Sequence, residues 1–166
     1  MTQLPLLGWR EWVTLPELNL KHIKAKIDTG ARSSALHAFA LEPYRKGGQR
    51  WVMFAIHPEQ KHTDTVIECH APIKDRRFVS DSGGHKQRRY VIETPLIIGL
   101  SLIRAEITLT NRDNMQFRML LGRTAMNGHF AIDPSGSYLQ GNPHLLASKD
   151  QHFRPLCSTL HPQETL

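Results

Sequence analysis

Cysteine is nearly absent from this chain: Cys69 and Cys157 are the only two in 166 residues. Two thiols cannot staple a small secreted scaffold, so the fold must rest on an apolar core, and a cytoplasmic location is expected. No apolar run approaches the roughly eighteen residues of a membrane-spanning helix, which gives no reason to expect a membrane partner. The first ten residues, Met1 to Arg10, lack a basic flank followed by a long apolar stretch, so no secretory leader is expected. Solenoid-type repeats and low-complexity blocks are missing as well. The length fits one domain and is too short for an enzyme whose active site lies between two full lobes.

What is present is enough for a core: 40% of residues are hydrophobic and 22% are charged. Lys and Arg number 21 against 15 Asp and Glu, a formal charge of +6. Such a balance favours an acidic partner without choosing among nucleic acid, anionic lipid and acidic protein. Strand-like segments dominate. Ile23 to Ile27 and Ala105 to Thr110 alternate apolar and polar residues, and Trp51 to Ile56 is an apolar run of strand length. Arg89–Ile92, Pro95–Ile98, Phe117–Leu121 and Phe130–Ile132 are further short candidates. Gly47-Gly48, Ser82-Gly83-Gly84, 111–114, Asn127-Gly128 and 133–136 supply the turns. Helix signals are few: Arg123–Met126 is one short candidate, and Ala31–Leu41 is ambiguous. These patterns predict a small, mainly β barrel or sandwich over residues 1–142. From Pro143 to Leu166 the chain reads as a tail or extension, with prolines, histidines and little periodicity.

Asp28-Thr29-Gly30 is the most informative tripeptide. It follows the strand ending at Ile27. Aspartic peptidases need a carboxylate on a tight loop at a strand end. Two such carboxylates placed together share one proton, so one form activates water while the other donates a proton to the scissile amide. Far downstream, Leu120-Leu121-Gly122-Arg123 gives two apolar residues, Gly and Arg at a strand end. Between them, Phe78 to Ile92 reads as two strand arms around the tip Ser82-Gly83-Gly84, a hairpin by composition.

This order of elements resembles the retroviral-type aspartic peptidases, in which the hairpin is a flap over substrate and the apolar-Gly segment supports the Asp loop. The resemblance is closer to one bacterial family. Its blocks here are Gly8–Val13, Ile27–Ala38, Asp75–Arg77, Ser82–Gly84, Leu109–Asp113 and Met119–Met126, spread from about Gly8 to Gly141. That family carries the label ATP-dependent zinc protease and is better described as retropepsin-like aspartic endopeptidases. The resemblance implies a closed or partly closed antiparallel β-barrel with one short helix. It implies hydrolysis of peptide bonds with Asp28, Thr29 and Gly30 as the catalytic loop, supported by Leu120, Leu121, Gly122 and Arg123. The family is associated with the ligase that adds glutamates to a ribosomal protein, so the implied substrate is an acidic, poly-glutamate tail. The two words of the older label find no motif. There is no Gly-x-x-x-x-Gly-Lys-Ser/Thr loop for ATP phosphates and no His-Glu-x-x-His helix for zinc. No cofactor or metal is therefore expected.

A dyad needs a second aspartate. A homodimer would bring Asp28 against its twin on a two-fold axis. The internal rival is Asp133, where Pro134 and an extra residue before Gly136 spoil the loop. Arg32 stands where the retroviral pattern has an acid; it would suit an acidic peptide, or alternatively pair with Asp113. Lys74 to Tyr90 holds six basic residues against two acidic ones. Arg32, Arg76, Arg77, Arg88 and Arg89, with the tip Ser82, Gly83 and Gly84, are the expected substrate-binding residues, because guanidinium forks take carboxylates in two-pronged fashion. The same stretch could be a solvated hairpin or a phosphate-backbone contact. Its aromatics, Phe78 and Tyr90, are too sparse for a base-stacking platform, so nucleic acid enters only indirectly, through the ribosome. His57, His62, Cys69 and His70 form the one conceivable metal cluster, at irregular spacing. Ser33 and Ser34 read as loop hydrogen-bonders, and Trp9, Trp12 and Trp51 as core or interface. Two other classes stand beside the peptidase: a non-catalytic basic barrel that binds ribosome or RNA, and a zinc-dependent peptidase.

Overall fold

The computed structural model describes residues 3–60, 62–112 and 116–141. The proposed tail, Pro143 to Leu166, lies outside them, as do Cys157 and Asp113. In chain order the strands are β1 (Leu6–Leu7), β2 (Arg10–Leu15), β3 (Leu20–Ile27), β4 (Ser34–His37), β5 (Phe39–Lys46) and β6 (Gln49–Ile56). They continue as β7 (Ile67–Pro72), β8 (Asp75–Ser80), β9 (Lys86–Ile98), β10 (Ser101–Thr110), β11 (Met119–Leu121) and β12 (Ala131–Ile132), with the helix α1 (Arg123–Met126) between the last two.

Six strands close a barrel in the order β10-β4-β11-β3-β2-β9, and β9 pairs back onto β10. The barrel is thus closed, with one short helix, as expected. Its pairings are mixed. The β9–β10, β2–β3, β2–β9 and β4–β11 ladders are antiparallel, whereas β4–β10 and β3–β11 are parallel. Inward positions follow the strand period of two: Glu11, Val13 and Leu15 on β2, and Ile23, Ala25 and Ile27 on β3, are buried. β4 departs from this period, since all four of its residues are buried between two neighbouring strands. That explains why the Ala31–Leu41 segment shows no clear alternation.

A second, three-stranded antiparallel sheet, β5-β6-β7, packs its Val52, Phe54 and Ile56 into the barrel's apolar core. Its first hairpin turns through Gly47 and Gly48, at φ +58° and +77°, the sign that a two-residue hairpin needs at both positions. The two candidates Arg89–Ile92 and Pro95–Ile98 are one strand, β9, of 13 residues. A proline fits inside it for a simple reason. The Lys74 N–H donates to the Val91 carbonyl, so every second residue after Val91 turns its backbone toward that same side. On that side β8 ends opposite Val91 and β2 meets β9 only at Ile97, and Pro95, with no N–H to satisfy, falls in the gap.

The two ends of the described chain are tied by a buried carboxylate. Glu11 is fully buried. It accepts hydrogen bonds from the Gly8 N–H at 2.8 Å, the Leu139 N–H at 3.0 Å and the Gln140 N–H at 2.9 Å. β1 and β12 pair in parallel beside this clasp. Glu11→Ala would strand three donors and is expected to cost about 3 kcal/mol, read as a lower denaturation midpoint; an unchanged midpoint would mean the clasp is idle.

Candidate active site

The site begins where β3 runs out. The Asp28 N–H donates to the Leu121 carbonyl at 2.9 Å, which fixes the point at which the chain leaves the barrel wall. The Asp28 carboxylate then organises its own loop: Oδ1 accepts from the Gly30 N–H at 3.0 Å and the Ala31 N–H at 3.2 Å. A Cβ at Gly30 would stand 3.2 Å from that oxygen, so the glycine keeps the carboxylate clear. Asp28 is half-buried, while Thr29 and Gly30 are exposed.

Behind the loop runs β11, wedged between β3 and β4. A Cβ on Gly122 would lie 2.5 Å from the Ser33 carbonyl carbon and 2.9 Å from the Arg32 oxygen, both backbone atoms that cannot move aside. Only glycine permits this approach. The Gly122 N–H donates to Ser34 Oγ at 3.0 Å. The Arg123 N–H donates to the Ala31 carbonyl at 2.9 Å, and its guanidinium to the Thr29 carbonyl at 3.0 Å. Leu120 pairs with Lys26 and Ala35. Residues 120–123 therefore all touch the Asp28 loop or the strands that carry it, and Ser34, expected in a loop, instead accepts its bond as the buried first residue of β4. Gly122→Ala is expected to cost about 1–3 kcal/mol through overpacking, so a midpoint equal to the parent's would show that the approach is not tight.

Opposite the loop, β8 and β9 form a hairpin that pairs from Asp75–Val91 to Ser80–Lys86 and projects past the barrel. Its tip is a built turn. Asp81 Oδ1 accepts from the Gly83 and His85 N–H groups, both at 2.9 Å, and Gly84 turns at φ +82°. The His85 N–H above all, with the Gly83 N–H, holds the Asp81 carboxyl below its ordinary range. Its second oxygen is ion-paired with Arg112. Between hairpin and loop lies a cavity of about 900 Å³, lined by Asp28, Arg32, Ser82, Arg89, Arg112 and Leu120 among others.

The five arginines expected to read substrate do not share one face. Arg77 and Arg89 are cross-strand partners and line the cavity, and Arg32 joins them. Arg76 and Arg88 belong to the other face of the hairpin and are not among the lining residues. There they lie over the rings of Tyr90 and Phe78, at 5.1 Å and 5.9 Å. Arg88 and Arg89 are adjacent in a strand, and adjacency sends them to opposite sides.

Sequence reasoning missed Arg112 and Glu106 as cavity residues. Arg112 was visible only as part of a family block. Glu106 lay in a recognised strand whose face could not be assigned. Glu106 sits directly opposite Glu93, and Lys74 bridges the two like charges at 2.8 Å and 3.2 Å. Arg77 binds Glu106 and Asp75, each at 2.7 Å. Arg77 first, then Lys74, pull the Glu106 carboxyl from its ordinary 4.5 down to about 2. A depressed carboxylate contributes stability that is whole above the unfolded value and is lost as pH falls through the folded one. Glu106→Gln should therefore lower the melting temperature at neutral pH and flatten its decline between about pH 4.5 and 2. An acid limb identical to the parent's would refute that assignment.

The remaining candidates lie elsewhere. Asp133 closes its own turn, accepting from Ser135 N at 3.0 Å and Ser135 Oγ at 2.6 Å, and it does not line the cavity. His70 bonds Tyr44 and Glu68, and His57 stacks on Phe39. Cys69 is buried, and burial pushes its thiol up to about 12. Among the described residues no three His, Cys, Asp or Glu side chains converge as metal ligands would. Nor is any helix there long and apolar enough to cross a membrane. Trp9, which is exposed, packs edge-on against Phe117, and the half-buried Trp12 stacks on Tyr138.

Known proteins resemble this chain in sequence or in fold. A protein of Parasynechococcus marenigrum named "Probable alpha-L-glutamate ligase" is 43% identical over 142 residues, 86% of this chain and 30% of that protein. A Shewanella pealeana protein of the same name is 40% identical over 136 residues, covering 82% and 30% respectively. The chain thus spans about a third of the length of these curated relatives. The crystal structure of Lpg0085, a Legionella pneumophila protein of unknown function, superposes with a TM-score of 0.69 at 24% identity, over 82% of this chain and 98% of that one. At that identity the likeness concerns the fold. Residues 6–143 match the family described as RimB-like, retropepsin-like aspartic endopeptidase RimB, and the chain belongs to that family.

Proposed function

We propose that this chain is an aspartic endopeptidase that works as a homodimer and cleaves glutamate-rich protein tails. The observation that carries the reading is the cavity itself, with the Asp28 loop on one side, a Gly-tipped hairpin on the other and arginines in its wall. Within one chain the second carboxylate of a dyad is hard to find. Among the described residues the other acids lining the cavity are Asp81, tied to Arg112, and Glu106, tied to Arg77. Glu106 is held ionised first by Arg77, and Asp81 first by the His85 N–H, so both are poorly suited to share a proton with Asp28. Thr29 and Gly30 are exposed, which leaves the loop open to a second copy. Two such loops on a two-fold axis would place Asp28 against its twin.

In that pair the ionised Asp28 takes a proton from water as the water oxygen attacks the scissile carbonyl carbon. The protonated partner donates to the carbonyl oxygen. When the C–N bond breaks, one aspartate gives its proton to the leaving amine while the other takes one back from a hydroxyl of the gem-diol as the new carboxyl forms, so the dyad again holds one proton. No covalent enzyme intermediate is needed. The choice of substrate draws on the arginines in the wall and on the relatives' name. Proteins called alpha-L-glutamate ligases contain a segment like this chain, and a hydrolase beside a ligase would trim what the ligase adds.

The test is cleavage of an oligoglutamate-tailed protein. Asp28→Asn should lower the rate by roughly 10²–10⁴-fold with no change in melting temperature. A chelator should leave the rate untouched, and sedimentation should show dimers at active concentrations. Full activity in Asp28→Asn would remove the dyad. Loss of activity with chelator would favour a metallopeptidase, and tail binding without any cleavage by the parent would favour a binding module.

A further inference from the structure

Arg89 stands in an unusual setting for a cation. It is 6% exposed, yet its guanidinium finds two neutral oxygens: Gln87 Oε1 at 3.1 Å and, at a long 3.4 Å, Thr108 Oγ1. Among the described residues it has no ion pair, although a guanidinium carries five N–H donors. Burial foremost, and the neighbouring Arg112, disfavour its charge, while Asp81 favours it. A buried cation short of acceptors is costly and is retained where an anion is to be received.

The neighbouring cation is already served. Arg112 is anchored from below, its N–H donating to Nδ1 of the buried His37 at 3.1 Å. Its side chain holds the free oxygen of Asp81. That carboxylate belongs to the hairpin, whose tip it also organises through Oδ1. Arg77, the third cavity arginine on this wall, is satisfied by Asp75 and Glu106. The wall therefore contains one empty buried guanidinium beside one that is occupied by a carboxylate from the flap.

We propose that Arg89 and Arg112 form a seat for a side-chain carboxylate of the substrate, which Asp81 partly fills as an internal stand-in until an acidic peptide displaces it. The inference rests on the reading of this cavity as the peptide-binding site. Exchange of one carboxylate for another at Arg112 leaves its charge balance unchanged, and the incoming group can also reach the unserved donors of Arg89. A neutral side chain would break the Asp81 contact and leave two cations without an anion, so the seat selects acidic residues by penalising the others. Displacement of Asp81 also unties the flap, which couples occupancy of the seat to freedom of the hairpin.

Binding should be measured in the Asp28→Asn background, where cleavage does not interfere, with an oligoglutamate peptide and its oligoglutamine counterpart. Arg112→Gln and Arg89→Gln should each weaken oligoglutamate binding by roughly tenfold or more and change oligoglutamine binding by less than about twofold. Arg112→Gln is the half-exposed position, so it tests the seat even if Arg89→Gln fails to fold. Asp81→Asn should tighten oligoglutamate binding several-fold, because the internal competitor is gone. Equal losses for both peptides, or no oligoglutamate binding to the parent, would overturn the seat. Weakened or unchanged oligoglutamate binding in Asp81→Asn would overturn the stand-in. Arginine-dependent binding of a peptide that the parent enzyme does not cleave would uphold the seat while removing the peptidase reading.

Discussion

The Asp28 loop depends on a contact between two pieces of backbone. Gly122 passes so close to Ser33 and Arg32 that no side chain fits between them. That closeness lets β11, only three residues long, bind a strand on each side while the chain from Leu121 to Arg123 makes three hydrogen bonds with the loop, through the Leu121 carbonyl, the Arg123 N–H and the Arg123 guanidinium. A side chain at 122 would push the support away from the loop, and the carboxylate would lose its fixed address. Rigid backbone underneath is what allows Thr29 and Gly30 to remain exposed without fraying.

Around this rigid floor the charges are sorted. Among the described residues, the acids other than Asp28 that line the cavity, Glu106 and Asp81, are each paired with an arginine. Asp28 is spared such a partner among the described residues; its bonds come from backbone N–H groups. The separation is by element. Arg77 and Glu106 are locked together at the root of the hairpin and Asp81 and Arg112 at its tip, and the Asp28 loop lines the same cavity. The family supplies the chemistry expected of Asp28, and this sorting explains how one carboxylate among several can be kept for it.

Much of this was legible in the sequence where the signal is local. Asp28-Thr29-Gly30, the Gly-tipped hairpin, the apolar pair before Gly122 and the helix at Arg123–Met126 each announce themselves within a few residues. The arginines show where legibility stops. A run of basic residues on a hairpin reads as one positive patch, but the strand period separates Arg77 and Arg89, which line the cavity, from Arg76 and Arg88, which lie over aromatic rings, and the phase of that division depends on which face the barrel covers. Pro95 made one long strand look like two, because the gap that tolerates it is created by neighbours far away in sequence. Arg112 gave no local hint, since its meaning comes from Asp81 across the fold. Glu11 was equally silent: an acid in an alternating strand reads as solvent-facing until the partners Leu139 and Gln140 are known.

The support under Asp28 comes from residues 121–123, and the clasp at Glu11 from residues 139 and 140. Translation delivers the chain from its N-terminus, so the aspartate emerges long before anything that can hold it. Until residues 121–123 are made, the loop lacks the backbone that holds it, and non-local ladders of this kind close late. A ribosome making this chain therefore carries the aspartate without its support until residues 121–123 have followed it.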